Sequence, residues 1–244
     1  MKATALQTVL HSIYPPRCIS CKTRVDGDFG LCGPCWRETP FLPHACCNHC
    51  GIGLPGLLDS EVDALCDECL THARPWIRGR AALAYRDNGR KLVLALKHGD
   101  RHDIIRPAGI WMARAAEPLL RPGMLVLPVP LHWLRMLKRR FNQSALLAQA
   151  VARETGLAYA PDLLVRPRAT QTLGGLGYEM RYRTMQGAIV VQERRRHRLA
   201  GRPVLLVDDV MTSGATLAAA TQACLEAGAR DVNILVLARA GRDA

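Results

Sequence analysis

The chain has 244 residues, of which 49% are hydrophobic and only 5% aromatic, so its core must be built mainly from aliphatic side chains. This length leaves room for one ordinary domain and a small module. No stretch approaches the ~20 apolar residues that a membrane-spanning helix needs, so we predict no membrane span. The N-terminus is too polar for a secretory signal, and a cytoplasmic location is therefore expected.

The formal net charge of +12 is unevenly distributed along the chain. Residues 1–75 hold six Lys and Arg against eight Asp and Glu, a balance of −2, whereas residues 76–244 hold 27 against 13, a balance of +14. A basic region of this kind suits a polyanionic small ligand, a nucleic acid or both. For any single arginine, a solvated surface position is the simpler explanation.

The first predicted element is a short helix at the N-terminus. Its apolar residues fall at helical spacing and are Leu6, Val9, Leu10 and Ile13. Pro15-Pro16 ends the pattern, and we expect the helix to dock on the rest of the protein.

Nine of the ten cysteines lie between residues 18 and 69, and eight of them form Cys-x2-Cys pairs. Each such pair suits a tight turn that aims two thiolates at one tetrahedral Zn²⁺. We predict two structural zinc sites in consecutive ribbons, the first formed by Cys18, Cys21, Cys32 and Cys35 and the second by Cys47, Cys50, Cys66 and Cys69. The spacing also allows a cross-braced arrangement of alternate pairs.

Disulfide bonds and redox chemistry are the alternatives to zinc. A reducing cytosol keeps thiols free, and four Cys-x2-Cys pairs in one short segment are more than a redox site needs. Other residues near enough to act as ligands are Cys46, His44, His49 and His72, although eight cysteines already fill two sites. Cys224 lies far from this module and is predicted to be a small, buried apolar residue.

After Arg74-Pro75 the pattern changes to strands alternating with helices, and we place a domain boundary between residues 75 and 76. The predicted strands cover residues 80–85, 125–129, 204–207 and 232–237, and the predicted helices cover residues 89–97, 104–120 and 142–154. This alternation predicts an α/β fold with a mostly parallel sheet flanked by helices. In such folds the ligand binds at the C-terminal ends of the strands.

Residues 204–216, Val-Leu-Leu-Val-Asp-Asp-Val-Met-Thr-Ser-Gly-Ala-Thr, form the most informative segment. Four apolar residues lead into Asp208 and Asp209, and a hydroxyl-rich turn with Gly214 precedes a helix-prone stretch. Backbone N–H groups, hydroxyls and a helix N-terminus around one point can hold a phosphate. Adjacent carboxylates fit there if the ligand also carries vicinal hydroxyls or brings Mg²⁺. We therefore predict a phosphorylated sugar bound with Mg²⁺.

This segment resembles the phosphoribosyl pyrophosphate (PRPP) loop of type I phosphoribosyltransferases. The match covers the hydrophobic strand, the acidic pair, two apolar residues and the Thr-Ser-Gly-x-Thr turn. In that family the acidic pair contacts the ribose 2′- and 3′-hydroxyls, and the turn surrounds the 5′-phosphate. The resemblance implies a PRPP site formed by Asp208, Asp209, Thr212, Ser213, Gly214, Ala215 and Thr216.

The order of motifs along nearly the whole chain resembles the ComF family of competence and DNA-utilisation proteins. Besides the cysteines and the final loop, the resemblance rests on Leu-Pro-Val-Pro-Leu-His at 127–132, Arg-Arg-Phe-Asn-Gln at 139–143, Gln171, Leu176, Arg181 and Gly187-Ala188. It implies a double zinc ribbon, a type I phosphoribosyltransferase fold and the handling of incoming single-stranded DNA. Two residues depart from the family pattern, Arg140 in place of Gly and Thr184 in place of Asn.

The resemblance also assigns positions around the site. Residues 128–132 would face pyrophosphate, and Arg139 and Gln143 would reach the anion or a neighbouring loop. A solvated cation is the equal alternative for Arg139. Residues 166–183 would form a mobile loop over the site, and the glycines that suit such mobility are Gly174, Gly175 and Gly177.

Two further features have less definite roles. Lys97 and Gly99 occupy positions that suggest function, without an assigned role. The run 194–198, Arg-Arg-Arg-His-Arg, could follow a phosphate backbone, but it contains no interleaved aromatic residue on which bases could stack. A solvated, charged linker is the favoured interpretation of this run.

Two functions are compatible with these features. The first is a PRPP-binding protein that takes part in DNA uptake, with single-stranded DNA and competence or DNA-processing proteins as partners. The second is an active phosphoribosyltransferase that releases pyrophosphate from PRPP, although the chain shows no recognisable motif for a nucleobase acceptor. A PRPP-responsive transcription regulator would need a DNA-reading element such as a helix-turn-helix, which we do not find in the sequence.

Overall fold

The computed structural model describes residues 14–54, 56, 63–98, 101–132, 141–168, 175 and 177–241. Several features of the sequence analysis lie outside these residues: the N-terminal helix, Gly99, Arg139, Arg140, Gln171, Gly174 and Leu176. Among the residues described, no helix has both the length and the apolar character needed to cross a membrane.

A five-stranded parallel sheet forms the centre of the molecule, with the strand order β1-β7-β6-β2-β3. Its strands are β1 (Gly79–Ala84), β2 (Leu125–Pro128), β3 (Ala158–Tyr159), β6 (Pro203–Met211) and β7 (Asp231–Arg239). The inner strands are rich in Leu, Val and Ile and are buried along most of their length, because helices or ribbons cover both faces. Two short strands, β4 (Leu164–Val165) and β5 (Val190–Val191), form a separate antiparallel pair.

The α-helices, in chain order, are α1 (Gly33–Glu38), α2 (Asp67–Thr71), α3 (Asp87–His98), α4 (Ile105–Ala116), α5 (Gln143–Thr155), α6 (Tyr178–Met185) and α7 (Ala215–Glu226). Short 3₁₀ helices cover His102–Ile104, Glu117–Leu119 and Glu193–Arg198. Strands and helices alternate after residue 78, which confirms the predicted fold class: a parallel sheet flanked by helices, with the cysteine-rich module before it.

Two elements differ from their predicted bounds by more than two residues. The helix predicted over residues 104–120 is α-helical only from Ile105 to Ala116 and then tightens into a 3₁₀ turn, where Pro118 has no N–H to continue the α-helical pattern. The strand predicted over residues 204–207 continues to Met211, because its pairing with β7 runs on to Arg239. The acidic pair therefore lies within the last residues of β6 instead of following the strand.

Each face of the sheet carries its own hydrophobic core. On one face, α7 packs with Cys47, Cys50 and Cys69 of the second cysteine group. On the other face, α3, α4 and α5 pack with Ile19, which lies inside the first Cys-x2-Cys pair. The two cysteine-rich parts thus cover opposite faces of one sheet.

The segment that links the two cysteine groups runs along the outer edge of β1. The Leu42 N–H donates to the Ala82 carbonyl at 3.0 Å, and the Ala84 N–H donates to the Pro40 carbonyl at 2.8 Å. An isolated antiparallel bridge lies between these two bonds. The linker therefore satisfies backbone groups that an edge strand would otherwise expose.

The second cysteine group approaches β1 so closely that residue 79 has no room for a side chain. The Gly79 N–H donates to the Asn48 carbonyl at 2.8 Å. A Cβ at this position would lie 2.3 Å from the His49 carbonyl oxygen and 2.8 Å from Ile234 Cγ1. Trp76 Nε1 also donates to the His49 carbonyl, at 2.6 Å. Contacts of this kind cross the boundary that the sequence suggests between residues 75 and 76.

The substitution Gly79→Ala should lower the free energy of unfolding by ~2 kcal/mol, because the added methyl group must displace backbone of the second cysteine group. Urea denaturation monitored by circular dichroism measures this loss. Gly27→Ala is the matched control, since a Cβ at Gly27 meets no atom within 4 Å. Equal stability of the two variants would contradict the close packing described here.

Candidate functional site

The turn between β6 and α7 places Thr212, Ser213 and Gly214 at the N-terminus of a helix. Gly214 has a φ of +85°, and a Cβ there would lie 2.8 Å from Met211 Cε and 3.0 Å from the Trp76 ring. The left-handed backbone and the crowding both require glycine at this position.

Hydroxyl groups and helix-terminal N–H groups share this turn. The Ala215 N–H donates to Ser213 Oγ at 3.4 Å, Thr212 is exposed, and Thr216 lies half-buried in the first turn of α7. The first N–H groups of an α-helix lack carbonyl partners within the helix and carry the positive end of its dipole. Such an arrangement is suited to bind a phosphate group.

Asp208 and Asp209 lie beside this turn, and each has its own partner. Ser144 Oγ donates to Asp208 Oδ1 at 2.7 Å, and the Asp209 N–H donates to the same oxygen at 2.8 Å. Lys97 Nζ forms an ion pair with Asp209 Oδ1 at 3.1 Å. Burial, followed by the neighbouring charge of Asp209, raises the pKa of Asp208 to about 7. A hydroxyl donor or a cation bound there would stabilise the charged form of Asp208.

Elements far apart in sequence bring these partners to the acidic pair. Lys97 is near the end of α3, and Ser144 is in the first turn of α5, where Asn142 Oδ1 accepts from the Ser144 N–H at 3.1 Å. The sequence analysis noted Lys97 without giving it a role and missed Ser144. The Asn-x-Ser capping pattern at the start of α5 was the available signal for Ser144.

Residues 128–132, which the resemblance places opposite pyrophosphate, begin directly beside β6. The Val129 N–H donates to the Val207 carbonyl at 2.9 Å, and the Val129 carbonyl accepts from Asn142 Nδ2 at 3.0 Å. Gln143 is buried, and its Nε2 donates to the Lys97 carbonyl at 3.5 Å. Gln143 therefore contacts the end of α3, the element that presents Lys97 to the acidic pair.

The loop predicted over residues 166–183 is described only in parts, and its last residues are helical. Helix α6 begins at Tyr178 and lies against the turn, since Tyr182 OH donates to the Ser213 carbonyl at 3.2 Å. Tyr178 and Tyr182 also accept hydrogen bonds from Arg74 Nη1, at 3.1 and 2.6 Å. The prediction of a loop is therefore wrong for residues 178–183.

The arginine-rich run at 194–198 lies in the 3₁₀ helix Glu193–Arg198, and several of its charges have local partners. Arg195 and Arg198 both pair with Asp162, and Arg196 Nη2 donates to the Glu226 carbonyl at 2.6 Å. The run is largely exposed, but these partners hold it against neighbouring elements instead of leaving a continuous row of unpaired cations.

The eight paired cysteines form two compact groups. Within each group all four sulfur atoms lie within 4.8 Å of one another, and the groups are Cys18, Cys21, Cys32 and Cys35, and Cys47, Cys50, Cys66 and Cys69. The Sγ–Sγ distance is 3.5 Å between Cys21 and Cys32 and 3.6 Å between Cys50 and Cys66. Four Zn–S bonds of ~2.3 Å in a tetrahedron require sulfur separations of ~3.8 Å. Both donor sets fit zinc, in the consecutive arrangement of pairs.

The two groups are built in the same way. In each, the first Cys-x2-Cys pair is followed by a residue in the left-handed region, Lys22 with φ +69° and Gly51 with φ +71°. The N–H of that residue donates to the carbonyl of the first cysteine, at 3.0 Å in the first group and 2.8 Å in the second. The second pair then opens a short helix, because Cys32 and Cys66 are the N-cap residues of α1 and α2.

The other candidate ligands contribute no atom to either four-cysteine group: Cys46, His44, His49 and His72. Cys46 is buried and bridges to Gly53, and His72 lies against the ring of Tyr178 with a centroid distance of 4.0 Å. Cys224 is fully buried in the core beside the sheet, as predicted, and burial raises the pKa of its thiol to about 12.

Comparison with known proteins finds two family models that match separate parts of the chain. A family model described as a double zinc ribbon domain matches residues 9–70, and one described as a phosphoribosyl transferase domain matches residues 142–244. Competence protein F of Haemophilus influenzae is 26% identical over 230 residues, covering 92% of this chain and 97% of that protein. DNA utilization protein YhgH of Escherichia coli K12 is 31% identical over 219 residues, covering 87% and 92%. The chain belongs to the ComF family.

This ComF protein thus combines an N-terminal double zinc ribbon with a phosphoribosyltransferase-type parallel sheet, which confirms the predicted family and architecture. Among solved structures, glutamine PRPP amidotransferase from B. subtilis in complex with ADP and GMP aligns with 19% identity and a TM-score of 0.37. The alignment covers 55% of this chain and 26% of that one.

The substitution Cys69→Ser should lower the zinc content from two ions per chain to about one, because only three sulfur ligands remain in the second group. Inductively coupled plasma mass spectrometry on the gel-filtered protein measures the ratio. Cys46→Ser is the matched control and should retain both ions, since Cys46 belongs to neither group. Metal loss in the Cys46 variant would contradict this choice of ligands.

Proposed function

We propose that this ComF protein binds PRPP with Mg²⁺ at the turn after β6 and handles single-stranded DNA in the cytoplasm, with DNA-processing proteins as partners. The juxtaposition of the acidic pair with a glycine turn at a helix N-terminus carries the PRPP part. The turn suits a phosphate, and the two carboxylates suit the hydroxyls of a ribose or a hard cation.

The charges at this edge of the sheet fit a magnesium-bound phosphosugar. Asp208 and Asp209 offer carboxylate oxygens, which are the ligands that Mg²⁺ prefers. Mg²⁺ bound with PRPP would neutralise the negative charge of its pyrophosphate group. Lys97 forms an ion pair with Asp209 and adds a cation at the same edge, and Ser144 donates a hydrogen bond to Asp208.

Two observations support the DNA part of the proposal. The relatives named for DNA utilization and for competence match this chain over 87% and 92% of its length. Residues 76–244 also hold 27 Lys and Arg against 13 Asp and Glu, so this part of the protein attracts polyanions.

An aromatic groove between the first ribbon and α4 offers a surface for unpaired bases. Trp36, which is 49% exposed, lies 4.5 Å from Phe41 between ring centroids, and Phe41 lies 5.2 Å from Trp111. The groove has a volume of about 200 Å³ and is also lined by Arg114, which is exposed. Bases stack on aromatic rings while cations bind the phosphates, so three rings in series beside an exposed arginine suit single-stranded DNA.

A second candidate function, phosphoribosyl transfer, is favoured by an apolar cavity at the same edge of the sheet as the acidic pair. The cavity has a volume of about 540 Å³ and lies at the C-terminal ends of β1 and β7, where Tyr85 and Arg239 contribute to its lining. Such a cavity could hold an acceptor. Pyrophosphate release from PRPP and Mg²⁺, followed by ³¹P NMR with single-stranded DNA or nucleobases added, distinguishes turnover from binding.

The double substitution Asp208→Asn with Asp209→Asn should raise the Kd for PRPP by ~100-fold, because it removes the charged acceptors of two hydrogen bonds or metal contacts. Isothermal titration calorimetry in MgCl₂ measures the affinity. The variant should keep both zinc ions, and Asp87→Asn, at the exposed start of α3, is the matched control. Unchanged PRPP affinity in the double variant would refute the site.

The substitution Trp36→Ala should weaken binding of a fluorescent oligothymidine by ~10-fold, because it removes one stacking surface. Fluorescence anisotropy measures the affinity over a range of salt concentrations, and binding should weaken steeply with salt. Leu70→Ala is the matched control, since Leu70 is 67% exposed on the other ribbon. A loss of affinity in Arg194→Ala but not in Trp36→Ala would move the DNA site to the arginine-rich run.

A further inference from the structure

Two buried arginines hold the backbone of the turn between β6 and α7, residues 212–214, which we term the phosphosugar turn. Arg239 Nη1 donates to the carbonyls of Met211 and Thr212, at 3.3 and 2.7 Å, and Arg74 Nη1 donates to the carbonyl of Ser213 at 2.6 Å. The exposed fractions of the Arg74 and Arg239 side chains are 0% and 1%. Three consecutive carbonyls are thus fixed from one side, which sets the direction of the peptide groups that lead into α7.

Both arginines share one carboxylate, and it belongs to the second zinc ribbon. Arg74 Nη2 donates to Glu68 Oε1 at 2.8 Å, and Arg239 Nη2 donates to Glu68 Oε2 at 2.7 Å. Glu68 lies in α2, between the ligand positions Cys66 and Cys69. Each oxygen of Glu68 therefore accepts a hydrogen bond from one arginine, and two charged hydrogen bonds join the ribbon to the arginines that hold the turn.

The position of Glu68 depends on the metal group around it. Helix α2 has five residues, which is too short to be stable in isolation, and Cys66 and Cys69 at its start tie it to the four-sulfur group. Since the sulfur set fits zinc, binding of the metal would supply the folding free energy of this segment. Loss of the metal would release Glu68 from the two arginines.

The first ribbon offers no equivalent connection. Its helix α1 also begins directly after a cysteine N-cap, but the residue that corresponds to Glu68 is Pro34. Pro34 has no charge and no N–H, so it cannot bridge to an arginine. The two ribbons are alike in their sulfur groups and differ in this residue.

We propose that Glu68 is a positioning residue for the phosphosugar turn, and that PRPP affinity is coupled to the metal state of the second ribbon but not of the first. This inference rests on the proposed PRPP site. Glu68 pairs with both Arg74 and Arg239 and holds their guanidinium groups in the orientation that fixes the three carbonyls. Because coupling between the affinities of two binding sites is reciprocal, PRPP must also tighten the binding of zinc by the second ribbon.

The substitution Glu68→Gln tests the connection in the full-length, zinc-loaded protein. It keeps the size of the side chain but removes the charge that both arginines need. We expect the Kd for PRPP to rise at least ~10-fold with zinc content unchanged, and the peptide covering residues 208–218 to exchange its amide hydrogens faster. Glu38→Gln, at the exposed end of α1, is the matched control and should change neither quantity.

Zinc release to a chromogenic chelator gives a readout that a purely structural role of Glu68 would not move. At equilibrium with the chelator, saturating PRPP with Mg²⁺ should let the wild-type protein retain one zinc ion at higher chelator concentrations and leave the other ion unaffected. In Glu68→Gln this protection should disappear. If Glu68→Gln does not fold, Glu68→Asp takes its place, because the charge is kept but a side chain shorter by one methylene cannot reach both arginines.

The outcomes separate this inference from the proposed function. Unchanged PRPP affinity and unchanged amide exchange in the Glu68 variant overturn the coupling, as does equal protection of both zinc ions by PRPP. If the wild-type protein binds no PRPP, the proposed function fails, and faster exchange of residues 208–218 in the Glu68 variant still establishes that the ribbon holds the turn.

Discussion

A single carboxylate, that of Glu68, lies between two buried guanidinium groups and joins the ribbon, the sheet and the turn. Arg74 follows the second ribbon in the chain, whereas Arg239 ends β7. A buried charge without a partner costs several kcal/mol, so these three groups are stable only together. Their main contribution is to conformational specificity and less to stability. They fix how the second ribbon contacts the sheet and, through the same arginines, how the backbone of the turn is oriented.

The turn and the acidic pair beside it contain features that stability alone would not favour. Gly214 gives up backbone entropy to reach its left-handed conformation, and Asp208 is a poorly solvated carboxyl next to a second one. Since the pKa of Asp208 in the folded protein is about 7, above that of an unfolded aspartate, its ionisation lowers stability as the pH rises towards 7. Such a cost is common where a site is prepared for a ligand that supplies the missing partners.

The sequence predicted what depends on local spacing, and it could not predict what depends on distant contacts. The Cys-x2-Cys turns and the strand, acidic pair and glycine turn are contiguous, so their geometry follows from neighbouring residues. Ser144 and Lys97 reach the acidic pair from two other elements, and Glu68 acts on the turn through two arginines, so the local sequence does not show that these side chains meet. The arginine-rich run was similarly ambiguous, because its partner Asp162 lies more than thirty residues earlier in the chain.

The place of β1 in the sheet has a consequence for synthesis on the ribosome. Within the part of the chain that the structure describes, β1 is the first strand, yet its neighbour within the sheet is β7, the last. All eight cysteines of the two groups are present once residue 69 has left the ribosome. The inner edge of β1, in contrast, has no partner strand until residues 231–239 have been synthesised. A chain that stops early therefore exposes the inner edge of β1 beside folded ribbons, a form that chaperones and proteases can distinguish from the full-length protein.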